Sequence, residues 1–300
     1  MSPIHPWTRL IRFVAAETAQ VHIGQPVDPK LDVGLAASKG TPIRAFEILG
    51  SALDPAAQVT ERILTVQQLL SPLSREQVGY VRCLGLNYAD HAAEANLPPP
   101  PFPTLFSKPV SSLIGPNAPI VIPKAAQPVA EHFPDYEVEL AIVIGKAARD
   151  VSVTDALDYV LGYTGANDVS FRKHQFLVSQ WTFSKNFDDS NPLGPCLVST
   201  TAIPDPQTIP LRCTLNGQLV QDGNTSQQVF NVAQTVAYLS QGTTLAPGSI
   251  ILTGTPAGIG FARKPALYLK DGDQVTVSLG NGIGTLVNGV QEEGMMKAKL

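Results

Sequence analysis

The chain has 300 residues, 44% of them hydrophobic, which is enough for one large domain or two smaller ones. Charged residues make up 15%, the net charge is -4, and the longest basic cluster is Arg172-Lys173-His174. A nucleic-acid partner is therefore excluded, because a polyanion binder needs a concentrated basic face. No run approaches the roughly 20 apolar residues of a membrane span, which argues against a membrane protein.

The 24 glycines and 26 prolines favour many turns and a strand-rich fold over a helical bundle. The N-terminal stretch Met1–Leu10 has no apolar segment of a secretory signal, so a cytoplasmic location is expected. Without such a signal, the sequon Asn224-Thr225-Ser226 is a chance match. Cys83, Cys196 and Cys213 are far apart and form no CxxC pair, so neither a zinc ribbon nor a disulfide framework is indicated. Three reduced, buried thiols are expected instead.

In chain order, residues 8–72 read as short strands and turns. Ile11–Val14 and Val21–Gly24 are strands, a helical stretch follows near Arg62–Leu70, and Pro72 closes it. Residues 1–72 form a small N-terminal module on this reading, and residues 73–300 the catalytic domain. Asn87–Ala95 predicts a short helix with Asn87 as N-cap, ended by the proline run from Pro98. Tyr136–Gly145 alternates and is rich in β-branched residues, which predicts a strand. Tyr159–Thr164 reads as a strand or a helix end leading into Asn167-Asp168. Ile250–Thr253 is a strand entering the glycine-rich loop Gly254–Gly260. Asp271–Asp273 turns into the strand Gln274–Leu279, and Asn281-Gly282 marks a hairpin.

Several constellations bear on chemistry. Side chains alternate along a strand, so Glu137 and Glu139 share one face. Two carboxylates that close repel each other, and a bound cation relieves the repulsion. Oxygen ligands without Cys or His favour Mg²⁺, Mn²⁺ or Ca²⁺ over zinc. The plain alternative is a solvated edge strand. Asp168, at a strand end, can supply a third oxygen ligand or simply cap the next helix. On that helix Arg172 and Gln175 fall near one face with Asp168, and Arg172 can clamp a substrate carboxylate or be a surface cation. His91 and Glu94 are three apart on the short helix. A carboxylate beside an imidazole suits a general base, though an exposed helix pair has the same spacing. Lys185, flanked by aromatic residues, can offer an ammonium to an enolate oxygen or snorkel at the surface. The loop Thr253–Gly260 lacks the signatures of a P-loop or a dinucleotide fingerprint, but its N–H groups and Thr255 can hold an anionic oxygen. Neither G-x-S-x-G nor HExxH occurs, which weakens serine hydrolase and zincin readings.

The order of these motifs is specific. Gly85–Glu94, Asp135–Gly145, Gly162–Ser170, Ser184-Lys185 through Pro195, and Thr253–Gly260 together resemble the fumarylacetoacetate hydrolase family over roughly residues 80–290. The resemblance implies a mixed α+β, strand-rich fold: a mixed β-sandwich roll as catalytic domain beside the small N-terminal domain, in a homodimer. It implies Mg²⁺ or Mn²⁺ on Glu137, Glu139 and Asp168, a water-activating dyad of His91 and Glu94, and a substrate site lined by Lys185, Arg172, Gln175 and Thr255. The expected substrate is a small oxo-acid or diketone. The chain departs from the commonest family pattern at Phe171, Lys173, Asn186 and Asp188–Asn191. These positions are expected to border the pocket and to bear on substrate choice.

The family supports hydrolysis of a C–C bond in an acylpyruvate or fumarylacetoacetate-like 1,3-dicarbonyl, decarboxylation of an oxaloacetate-type 2-oxo acid or a β-keto acid, and keto–enol or double-bond isomerisation. Hydrolysis is favoured because both His91 and Glu94 are present; decarboxylation needs no attacking water. A non-catalytic ligand-binding relative is the reading of a different class, and a complete dyad beside three carboxylates argues against it.

Overall fold

A computed structural model describes residues 6–294. Residues 1–5 of the stretch read for a leader, and residues 295–300, lie outside the described residues. Among the described residues no helix is long and apolar enough to cross a membrane.

The chain opens with β1 (Arg9–Ala15), β2 (Val21–Pro26), α1 (Val33–Ser38), β3 (Arg44–Leu49) and β4 (Gln58–Leu70). β1 pairs with both β2 and β4, and β3 pairs with the same two, so the four antiparallel strands close on themselves. The expected helix at Arg62–Leu70 is therefore a strand. Ile63, Val66 and Leu70 imitate helical spacing, but Val59, Thr60, Thr65 and Val66 are β-branched. Partners on both edges, β3 and β1, then decide the outcome. Leu64 and Leu69 point into the core.

Next come β5 (Val81–Gly85), α2 (Ala89–Glu94), β6 (Thr104–Lys108), β7 (Leu113–Ile114), β8 (Ile120–Ile122), α3 (Val129–His132), β9 (Pro134–Asp135) and β10 (Val138–Ile144). They are followed by β11 (Val160–Asn167), β12 (Ser170–Phe171), α4 (Arg172–Leu177) and β13 (Asn191–Ser199). The chain ends with β14 (Pro210–Leu215), β15 (Gln218–Asn224), α5 (Val232–Leu239), β16 (Ile250–Leu252), β17 (Gln274–Leu279) and β18 (Gly284–Glu292). The ambiguous stretch at 159–164 is the strand β11, entered from a 3-10 turn over Ala156–Tyr159.

An eleven-stranded sheet runs β2-β3-β4-β1-β13-β11-β10-β16-β5-β6, with β7 beside β13. A five-stranded sheet, β15-β14-β17-β18-β8, packs against it. Residues of both sheets, such as Tyr163, Val138, Leu211 and Val277, share one apolar core. The hairpin at Asn281-Gly282 is present, with both residues at positive φ as a tight turn between right-twisted strands requires. All three cysteines are free and buried. What matters for the site is the position of β10. It lies between β11 and β16, and every one of its residues is buried. The solvated edge-strand alternative for Glu137 and Glu139 is thereby excluded.

Candidate active site

Glu137, Glu139 and Asp168 converge. One carboxylate oxygen from each lies within 4.8 Å of the others, and all three residues are buried. Alternation brings Glu139 of β10 and Glu137, the residue just before that strand, to one place, and β11, paired antiparallel to β10, delivers Asp168 just past its end. The turn is pinned by main-chain bonds. Asp168 N donates to Glu137 O (2.9 Å), and the Asn167 side-chain oxygen accepts from Glu137 N (3.0 Å). Asp168 does not cap α4, because β12 separates them.

Three buried cations answer these acids. Lys185 Nζ reaches Glu137 Oε2 at 2.8 Å and Asp168 Oδ2 at 2.6 Å. Lys108 Nζ lies 2.9 Å from Asp168 Oδ1. Arg172 Nη2 lies 2.7 Å from Glu137 Oε1 and 2.8 Å from Asp135 Oδ2, while Nη1 donates to Gln175. Burial opposes ionisation of Glu137, but Lys185, Arg172 and His91 outweigh it and hold this carboxyl at about 2. Glu139 contacts no cation among the described residues and accepts a hydrogen bond from Gly254 N at 2.7 Å. Burial, with repulsion from Asp168 and Glu137, pushes its pKa well up. Burial also opposes the charge on Lys185 and Arg172, yet the facing carboxylates raise both above their ordinary values.

The donor set suits a hard divalent cation: three carboxylates, no imidazole and no thiolate. The charge balance suits it as well. With Asp135, four buried carboxylates face the three cations Lys108, Arg172 and Lys185, and the crowded, unpaired one is Glu139. A divalent ion relieves that crowding.

Above this floor stand His91 and Glu94 on α2. Glu94 Oε1 accepts from His91 Nδ1 at 2.8 Å, and Glu94 Oε2 accepts from Gly258 N at 2.9 Å. The carboxylate thus fixes the ring and leaves Nε2 for a water. Both residues are largely buried, so the exposed-pair alternative fails. Asn87 is not the N-cap of α2; Tyr88 occupies that place without a side-chain bond. Asn87 instead crosses to another part of the chain, donating to Thr253 O (2.8 Å) and Phe230 O (3.1 Å) and accepting from Phe230 N. Gly254, at φ 90°, lets that approach happen, since a Cβ there would lie 2.9 Å from Asn87 Cβ. α2 ends at Glu94, and Asn96, at φ 56°, turns the chain away before the proline run begins.

The glycine-rich loop completes the ring. Asp135 accepts from Tyr136 N, Gly260 N and Phe261 N and pairs with Arg172, so it ties the loop to α4. Thr255 donates to Val138 O (2.9 Å) and accepts from Gln221 Nε2 (2.8 Å). A cavity of about 280 Å³ is lined by His91, Glu94, Glu137, Glu139, Arg172, Gln175, Lys185 and Thr255 together. Asp168 adjoins them through Lys185, at 2.6 Å. The residues assigned in the sequence to the metal, the dyad and the substrate site are thus brought to one place. Lys108, Asp135 and Gln221 were missed. Asp135 adjoins Tyr136-Glu137 and was within reach, whereas Lys108 and Gln221 carry no local signal.

One expectation is corrected. Phe171, Lys173, Asn186 and Asp188–Asn191 do not line the cavity. Phe171 is buried edge-to-face on Phe187 at 4.7 Å, Lys173 faces Glu131, and Asp189 pairs with Arg75. The turn Thr182–Lys185 sends only Lys185 inward to the carboxylates, and the residues after it lead away into β13.

Comparison with known proteins gives the family. Residues 80–291 match the fumarylacetoacetate hydrolase C-terminal family. The chain belongs to the fumarylacetoacetate hydrolase family. It is 58% identical over 296 residues to a caffeoylpyruvate hydrolase of Neonothopanus nambi, covering 98% of this chain and 96% of that one. It is 38% identical to a mitochondrial oxaloacetate tautomerase of Xenopus laevis, over 94% of this chain and 90% of the relative. A fumarylpyruvate hydrolase from Pseudomonas aeruginosa, solved with Mn²⁺ and pyruvate, superposes with a TM-score of 0.65 at 29% identity, over 76% of this chain and 93% of that one.

Proposed function

We propose that this family member hydrolyses the C–C bond of an acylpyruvate, with Mg²⁺ or Mn²⁺ held by Glu137, Glu139 and Asp168. The observation that carries the reading is the His91–Glu94 pair opening onto the same cavity as the buried carboxylates. The likeness to a caffeoylpyruvate hydrolase over nearly the whole of both chains supports it. When bound, the ion supplies Lewis-acid stabilisation of the negative charge that gathers on the pyruvate oxygens.

The chain's own residues do the rest. His91 Nε2 takes a proton from water, and Glu94 holds the ring in place and offsets the imidazolium charge. The water oxygen bonds to the acyl carbonyl carbon, and the C–C bond to the pyruvate methylene breaks. Its electron pair passes into pyruvate enolate, and the imidazolium returns the proton to that carbon. The products are pyruvate and a carboxylic acid, which then loses its proton to solvent. Lys185 faces the charge on the enolate, and Arg172 and Gln175 orient the pyruvate end.

Incubation of the Mg²⁺-loaded protein with acylpyruvates and with oxaloacetate, followed by product identification, tests the assignment. Pyruvate with a matching carboxylic acid is expected. Release of CO₂ alone, or tautomerisation without cleavage, would move the assignment to decarboxylase or tautomerase, the second reading favoured by the Xenopus laevis relative. Full turnover by protein verified as metal-free would sink the metal assignment. The family resemblance also leads us to a homodimer, and a monomer mass by light scattering at micromolar concentration would refute it.

A further inference from the structure

Of the four buried carboxylates at the floor, Asp135 alone belongs neither to the triad of acids nor to the cavity lining. Yet its two oxygens receive five N–H groups. Oδ1 accepts from Tyr136 N at 2.9 Å and Gly260 N at 2.7 Å. Oδ2 accepts from Phe261 N at 2.9 Å and faces Arg172 through Nε at 2.9 Å and Nη2 at 2.8 Å. Every neighbour is a donor, so the site calls for a carboxylate. An amide turned either way would aim its own N–H groups at other N–H groups.

These donors belong to two separate working parts. One is Arg172, at the start of α4. β9, which carries Asp135, pairs with β12 just before that helix, with Ser170 opposite Asp135. The other is the glycine-rich loop. Two residues before Gly260, Gly258 N holds Glu94 Oε2 at 2.9 Å, and Glu94 Oε1 holds His91 Nδ1 at 2.8 Å. Tyr136, next to Asp135, adds a hydroxyl bond to Gly258 O at 3.3 Å. The loop comes in as close as a chain can. A Cβ on Gly260 would lie 2.6 Å from Asp135 Oδ1 and 1.8 Å from Leu267 O. Contacts thus run without a break from Arg172 through Asp135 and the loop to Glu94 and His91.

We infer that Asp135 is a positioning residue that sets the place of Arg172 relative to the His91–Glu94 dyad, by fastening α4 and the loop Gly258–Phe261 to one buried carboxylate. The inference rests on the acylpyruvate reading for the roles of the two parts it joins: Arg172 orients the pyruvate end, and His91 takes the proton from water.

Two measurements test it. The first is kcat and KM of the Mg²⁺-loaded protein on an acylpyruvate that the wild type cleaves, for wild type, Asp135→Asn, His91→Ala and the double variant. A misplacement of about 1 Å costs about 10²-fold, so Asp135→Asn should lower kcat by about a hundredfold where His91 is present. In His91→Ala the base that the loop positions is gone, and the same change should lower kcat by less than about threefold. KM, which reads the Arg172 arm, should rise in both backgrounds. A merely structural role lowers the active fraction alone, so equal kcat losses in both backgrounds, or an unchanged KM, would overturn the inference. Asp135→Glu, which keeps the charge, carries the same comparison if the amide variant fails to fold. The second measurement is hydrogen exchange at single amides, which needs no catalysis. The Gly258 amide should exchange tenfold or more faster in the Asp135 variant, along with Gly260 and Phe261. Loss of protection confined to Gly260 and Phe261 would cut the link to the dyad and overturn the inference. If the wild type cleaves no acylpyruvate, the hydrolase assignment fails by itself. Exchange in Arg172→Gln then decides the coupling: a faster Gly258 amide upholds it, and an unchanged one overturns it.

Discussion

The floor of the cavity and its mouth are made of different backbone. The floor is set at the ends of β10 and β11, two central strands whose residues are all buried, with Arg172 added from the start of α4, and its acids and bases fix one another at 2.6–2.9 Å. The mouth stands on two six-residue helices, α2 and α4, and on the loop after β16, with half-exposed side chains. Chemistry common to a family suits the first kind of support, because buried charge pairs tolerate no adjustment. Selection among substrates suits the second, where a side chain can change without disturbing the core. If this division is correct, substitutions of the ion-paired floor residues cost both fold and turnover, and those at the rim cost turnover alone.

The largest effect is expected at Asp168. Asp168→Asn leaves Lys108 and Lys185 facing each other with a lost partner in full burial. Breaking a buried ion pair on one side costs about 3–5 kcal/mol. Urea unfolding of the metal-free protein should show a loss of that order, alongside loss of turnover. A stability change under about 1 kcal/mol would mean that the cluster is solvated and does not behave as a buried network.

His91→Ala comes next and touches only the rim. A positioned base contributes about 10²–10⁴-fold, so acylpyruvate cleavage should drop by that much while Mn²⁺ affinity and thermal stability hold. Decarboxylation of oxaloacetate, which needs no attacking water, should suffer far less. Lys185→Ala should damage both reactions. Equal losses in the two reactions for His91→Ala, read by single-turnover rates, would show that His91 is not a water-activating base.

Glu139→Gln sharpens the contrast inside the floor. Glu139 is crowded by Glu137 and Asp168 and touches no cation among the described residues, so removing its charge relieves repulsion. The metal-free protein should be at least as stable as wild type, whereas Mn²⁺ affinity by calorimetry should fall by tenfold or more. An unchanged affinity would remove Glu139 from the ligand set.

Much of the floor was legible in the sequence, and the reason is local. Glu137 and Glu139 declare a shared face by strand alternation alone, and His91 and Glu94 declare theirs by helical spacing. The partners that make the floor neutral were not legible. Lys108 reaches Asp168 from β6, at the far edge of the sheet, and Gln221 reaches Val138 N and Thr255 from the second sheet. Contacts across that much chain leave no spacing to read. The helix expected at Arg62–Leu70 failed for a related reason: its apolar residues fit either period, and strand partners elsewhere in the chain chose between them. Asn87 shows the same thing at a single residue. As an N-cap it would serve its own helix, but its amide is used to fasten that helix to Thr253 and Phe230.

The smallest effect is expected at Lys173, where the sequence pattern pointed to substrate choice and the structure does not. Its ammonium lies 3.6 Å from Glu131, in a pair with 38% and 65% of the side chains exposed. Exposed pairs of this kind are worth about 0–1 kcal/mol, so Lys173→Ala should leave stability nearly unchanged. It should also leave the ranking of acylpyruvates unchanged, because Lys173 does not line the cavity. What it should change is His132, whose Nε2 lies 3.4 Å from the ammonium. Burial, Lys173 and His174 all push the His132 pKa down. Removing the ammonium deletes one of these and makes protonation easier, so His132 should titrate at higher pH in the variant. NMR of the imidazole protons reads this directly. A shift at His132 with an unchanged substrate ranking places Lys173 behind the site. A changed ranking would instead mean that α4 moves with its surface charge, and that the rim extends one layer further from the cavity than its lining residues indicate.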